Sequence, residues 1–67
     1  MKTLKARWAG TEQFIHVDYV ANLDEANTVA MQFQLDHHVH CAIEWKQGDP
    51  PMWFGQNKFV TFRLSDP

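Results

Sequence analysis

One stretch with helical period lies between two regions of strand period, which restricts the chain to a single helix laid on a sheet. The stretch opens with Asn22-Leu23-Asp24-Glu25. An Asn at the N-cap accepts from the backbone amide three residues on, while Glu25 reaches back, the arrangement of a capping box. Leu23, Ala26, Ala30 and Phe33 then follow i, i+3, i+7 and i+10, with Val29 flanking. One apolar stripe therefore packs on a sheet, and Thr28, Gln32 and Asp36 face water. Asp24 and Glu25 suit the positive end of the helix dipole. The helix is predicted to end between Asp36 and His38.

On either side the pattern alternates, the mark of half-buried strands. From Thr3 to Trp8, Leu4, Ala6 and Trp8 share one face and Thr3, Lys5 and Arg7 the other. From Phe14 to Val20, Ile15, Val17 and Tyr19 are predicted inward, with Phe14, His16 and Asp18 outward. After the helix, Val39, Cys41, Ile43 and Trp45 are predicted inward on a third strand. Gly48-Asp49-Pro50-Pro51 stops it, because Pro has no N–H to donate. Met52-Trp53-Phe54 reads as a very short strand or an apolar loop. Lys58 to Leu64 reads as the last strand, with Val60, Phe62 and Leu64 inward and Phe59, Thr61 and Arg63 outward. The order is β-β-α-β-(β)-β. The predicted class is α+β, one helix packed on a four- or five-stranded, mostly antiparallel sheet, in a single domain over 1–67. A right-handed crossover through the helix would set the third strand beside the first.

A chain of 67 residues hides only about 60% of the surface its unfolded form exposes, so a deep substrate cavity is not expected. Six Lys and Arg against eight Asp and Glu give a net charge of −2. That is too small for a DNA mimic and of the wrong sign for a general polyanion binder. The single cysteine, Cys41, cannot form an internal disulfide, which points to a reducing cytoplasm. No apolar run of the length a secretory signal or a membrane span needs is present, so a cytoplasmic location and no membrane partner are expected.

His37-His38-x-His40-Cys41, with His16 elsewhere, carries the residue types of a zinc site. The alternation sets Cys41 inward and His38 and His40 outward, and places His16 about two strands away, roughly 10 Å. No metal and no cofactor are therefore expected. Cys41 lies between Val39 and Ile43 in apolar surroundings, where a thiol is inert. Asp18, Asp24, Glu25 and Glu44 read as solubilising or capping groups. With no activated nucleophile beside a base, no catalytic residue is assigned and no enzyme is expected.

Because one helix covers one face, the other face of the sheet carries the functional clue. Lys5, Arg7, Lys46 and Arg63, four of the six basic residues, fall there with Phe14, His16, His40 and Phe59. Cations between rings are what sheet-based readers of single-stranded nucleic acid use. Asp18 and Glu44, expected on the same face, weigh instead toward a protein partner. The aromatic content, 13%, exceeds what so small a core needs, so some rings are left for an interface. The predicted partner-binding residues are Arg7, Phe14, His16 and Lys46, with Trp53 in the Pro-Pro loop. Phe14 supplies an apolar anchor, and Arg7 and Lys46 supply steering charge toward an acidic protein surface. A monomer or homodimer is expected.

The strand Phe14-Ile15-His16-Val17-Asp18-Tyr19-Val20, followed by Leu23-Asp24-Glu25-Ala26, Ala30 and Phe33, resembles the small podophage inhibitor of host RNA polymerase. That family has the same strand–strand–helix–strand order and a strand-starting Phe where Phe14 falls. The resemblance implies a non-catalytic host-takeover protein that binds the jaw region of the bacterial polymerase β′ subunit and blocks initiation by occlusion. At the level of fold the chain also looks similar to a small type I-F anti-CRISPR, which implies a CRISPR effector as an alternative target. Both comparisons imply a phage protein that inhibits a bacterial host complex.

Overall fold

The structure, a computed structural model, describes residues 1–66. In chain order the elements are β1 (Lys2–Trp8), β2 (Ile15–Val20), α1 (Leu23–Asp36), β3 (Glu44–Gln47), β4 (Trp53–Gln56) and β5 (Val60–Ser65). All five strands form one antiparallel sheet in the order β2-β1-β5-β4-β3, with α1 on one face. This is the α+β class read from the sequence, and of Met52-Trp53-Phe54 the last two residues open a strand, β4, with Met52 outside it.

The helix begins and ends on side-chain and backbone caps. Asn22 Oδ1 accepts from the Glu25 amide at 2.9 Å. At the other end the His38 amide bonds Leu35 O at 3.0 Å and the Val39 amide bonds Gln34 O at 2.8 Å, closing a Schellman turn. His38 sits at the left-handed position of that turn with φ 62°. A glycine is the usual occupant there.

Leu4 and Ala6 of β1, Val20 of β2 and Val60, Phe62 and Leu64 of β5 form the floor of the core. Ala26 and Ala30, both small, let α1 approach it closely, and all eight residues are at most 1% exposed. Phe33 joins this core from its flank, stacking on Trp8 at 5.4 Å and meeting Phe62 edge-on at 5.9 Å.

The sheet order corrects the expected crossover, because β5 rather than β3 lies beside β1. The three strands after the helix form a meander. It delivers the strand with the richest apolar alternation, Val60-x-Phe62-x-Leu64, to the centre and leaves the short, mostly exposed β3 at the edge. The third strand also starts later than predicted. Val39 to Ile43 carry no strand, since the Cys41 carbonyl is taken by Gln34 Nε2 at 2.9 Å instead of by a sheet neighbour.

Gln34, fully buried, also accepts from Asn57 Nδ2 at 2.7 Å. Asn57 Oδ1 in turn accepts from the Phe59 and Val60 amides. The helix, the segment after it and the entry to β5 are thus tied by one polar network at the margin of the core, with Gln34 its buried member. The β3 edge is fastened separately. Trp45 Nε1 donates to Asn27 Oδ1 of α1 at 2.9 Å, and its ring lies so close over Gly55 that an added Cβ would stand 2.6 Å from a ring carbon.

A bulge in β2 changes which side chains face the helix. Leu4 pairs with Asp18 and Lys5 with His16, so Val17 has no partner on β1. The period of 2 breaks there. Asp18 and Val20 consequently share the helix side with Leu4, whereas Tyr19, expected inward, pairs with Thr3 on the opposite face and is 54% exposed.

Candidate binding surface on the open sheet face

The face of the sheet away from α1 is built by the residues that alternate with the core. On β1 these are Thr3, Lys5 and Arg7, and on β5 Thr61, Arg63 and Ser65, because Leu4, Ala6, Phe62 and Leu64 point into the core. Following the pairing across all five strands places His16, Lys5, Arg63, Phe54 and Lys46 in one row. At about 4.8 Å per strand the row spans roughly 19 Å. Three of its five members are cations.

Beside this row, Phe14 precedes β2 and lies under two guanidinium groups. Arg63 Cζ is 4.6 Å from its ring centroid and Arg7 Cζ 5.7 Å. Both are within the range of a cation–π contact. Arg7 also donates to Thr11 O at 2.9 Å, which steadies the turn that brings Phe14 back over the sheet. Among the described residues neither arginine has a carboxylate partner, and the Arg63 Nε is buried without a hydrogen bond. Among the described residues Lys2 pairs with Asp66 at 2.9 Å and Lys46 with Glu44 at 3.2 Å, the second pair highly exposed on both sides.

Like charges directly opposite on neighbouring strands repel, and Lys5 opposite Arg63 is such a pair. Among the described strand residues, Glu44 is the carboxylate on this face, paired opposite Gln56 at the β3 edge. Asp18, expected here, lies on the helix side because of the bulge, near Asp36. Asp24 and Glu25 are on the first turn of α1. Positive charge therefore gathers on the open face and negative charge on the helix side.

Of the residues singled out from sequence, Arg7, Phe14, His16 and Lys46 share this face. Trp53 does not join them. It pairs with Leu64 and packs against the core from the helix side. His40 lies outside the sheet in the segment before β3, and Phe59 precedes β5 with Lys58 Nζ over its ring at 5.2 Å. Tyr19, whose ring meets His16 at 4.7 Å, and Phe54 belong to the surface and were not legible as such. The bulge hid the first. The pairing of β4 with β5 was needed for the second.

Among the described residues no three His, Cys, Asp or Glu side chains lie close enough to hold a metal ion. His37 packs on Trp8 and Phe33, with Nδ1 2.9 Å from the Phe33 carbonyl oxygen, and caps the helix. No helix among the described residues is long and apolar enough to cross a membrane. Comparison with known proteins gives no family model, no curated protein and no solved structure that matches the chain.

Proposed function

We propose that this chain is a non-catalytic binding protein that acts in the bacterial cytoplasm by covering a surface of a host protein complex with its open sheet face. The observation that carries this reading is the convergence of Arg7 and Arg63 on Phe14 without a carboxylate partner. Beyond these contacts each guanidinium keeps N–H donors for a carboxylate, Arg7 past the one given to Thr11 O and Arg63 past its buried Nε. An acidic partner surface would also relieve the repulsion between Lys5 and Arg63. Inhibition by occlusion asks nothing further of these side chains. Bacterial RNA polymerase is the first target to test, on the resemblance of residues 14–33, and a CRISPR effector the second.

A second reading on the same face, binding of single-stranded nucleic acid, is favoured by the five-strand row and by the displacement of Asp18 from it. One experiment separates them. The wild-type chain and an Arg7→Gln/Arg63→Gln variant of unchanged melting temperature are used to capture partners from nuclease-treated bacterial lysate. Recovery of the polymerase by the wild type alone supports occlusion. Binding that vanishes with nuclease, and whose log affinity falls with log salt at a slope of about −3 for four phosphates, selects nucleic acid. Equal recovery by both proteins overturns both readings.

A further inference from the structure

We infer that the channel between β2 and α1 is a docking groove for an extended, cationic segment of a partner protein, which adds to the sheet as a sixth strand. It is a different surface from the open face and does not depend on it.

The groove follows from how α1 sits on the sheet. Ala26, Ala30 and Gln34 are fully buried over the centre, whereas Val29 and Phe33, on the neighbouring stripe, are only partly covered. With Gln32 and Asp36 they face Val17 and Asp18 of β2 across a cleft of about 320 Å³. β2 is the last strand on that side of the sheet, so one edge of its backbone has no sheet neighbour. Such an edge is a template for another strand. Ile15, on the helix side opposite Ala6, is 48% exposed there.

The charge of the cleft selects the occupant. Asp18 and Asp36 stand among the lining residues, which include no Lys or Arg. Asp18 Oδ1 accepts from the Tyr19 amide at 2.7 Å and Asp36 Oδ1 from Gln32 Nε2 at 2.9 Å, so each bond engages one oxygen of its carboxylate. A Lys or Arg on the added strand would lay its methylene stem on Val17, Val29 and Phe33 and carry its charge to the rim. The bulge at Val17 builds this site, since regular pairing would have sent Asp18 to the other face. A second copy of this chain fits poorly. Its edge strands, Ile15–Val20 and Glu44–Gln47, offer one cation between them, Lys46, which is already paired with Glu44.

The test uses an end-blocked eight-residue peptide of alternating Lys and Val, titrated into the isotopically labelled protein at low salt and followed by amide chemical shifts. Shifts confined to residues 15–20 and 29–36 are expected. An Asp18→Asn/Asp36→Asn variant that melts like the wild type should bind about tenfold more weakly, two rim ion pairs together accounting for that factor. A peptide N-methylated at alternate residues, unable to pair with the β2 edge, should not bind. The proposal is overturned by shifts centred on Lys5 and Arg63, by no shift at millimolar peptide, or by equal binding of a Glu-for-Lys or N-methylated peptide. Self-association through residues 15–20 in sedimentation, blocking the groove, would overturn it as well.

Discussion

Lys5 and Arg63 stand directly opposite one another on the two central strands of the sheet, and neither has an ion-pair partner among the described residues. Two cations in facing positions oppose folding, so this pair costs the fold stability. Lys5→Gln is expected to stabilise the fold by about 0.5 kcal/mol, which for a domain of this size raises the melting temperature by roughly 2–4 °C. Added salt should narrow the gap between variant and wild type, because screening relieves the repulsion in the wild type alone. Thermal melts at low and high salt check both points.

Phe14→Ala removes the ring on which Arg7 and Arg63 rest. Two exposed cation–π contacts are worth about 1–2 kcal/mol together. The melt should drop modestly, and partner capture should fall further than for a Phe59→Ala control, since the freed guanidiniums lose their common orientation. Equal partner capture by the two variants would remove Phe14 from the surface.

Gln34→Met keeps the volume of the buried side chain and deletes its polar end. The Cys41 carbonyl and Asn57 Nδ2 lose their close partners, at a cost of about 1–3 kcal/mol. Denaturant unfolding should show a lower midpoint with an unchanged slope, because the same surface is exposed.

His38→Gly is expected to stabilise. The left-handed backbone at φ 62° costs a residue with a Cβ about 1 kcal/mol, while the greater freedom of glycine in the unfolded chain returns part of the gain. The net is roughly 0.5 kcal/mol. Gly55→Ala runs the other way. Its new methyl would meet the Trp45 ring at 2.6 Å and Ile43 Cγ2 at 2.8 Å, and overpacking of this kind costs about 1–3 kcal/mol. A melt that places the two variants in the opposite order would reject the packing of Trp45 on Gly55.

Where local patterns decide structure, the sequence was readable. The Asn22 cap and the apolar stripe give α1 its span, and the alternation of Leu4, Ala6, Val60, Phe62 and Leu64 gives the faces of the two central strands. The misses lie where a distant contact decides. Ile15 to Tyr19 alternates without interruption, so nothing local announces that Val17 is skipped in the pairing. Gln34 falls in step with Ala26 and Ala30, but its amide reads as a solvent-facing group until Asn57, 23 residues on, supplies its partner. The position of β3 turned on which strand had most to bury, a comparison among strands that no single one contains. Four of the five residues chosen for the binding surface share a face because strand parity was right for them. Trp53 does not, since its strand had to be paired with β5 before its side could be known.

The pairing of Thr3 with Ser65 and Leu4 with Leu64 joins residues about sixty positions apart at the centre of the sheet. Loop closure over such a span has to precede the contacts that reward it, which slows folding. Until residues 60–65 arrive, β2 and β1 form a hairpin with both edges unpaired, the β3–β4 hairpin has no neighbour, and α1 lacks the β5 part of the floor beneath it. Commitment to the native topology therefore belongs to β5, and a chain shortened by that one strand would lose cooperativity everywhere at once rather than shed a single edge.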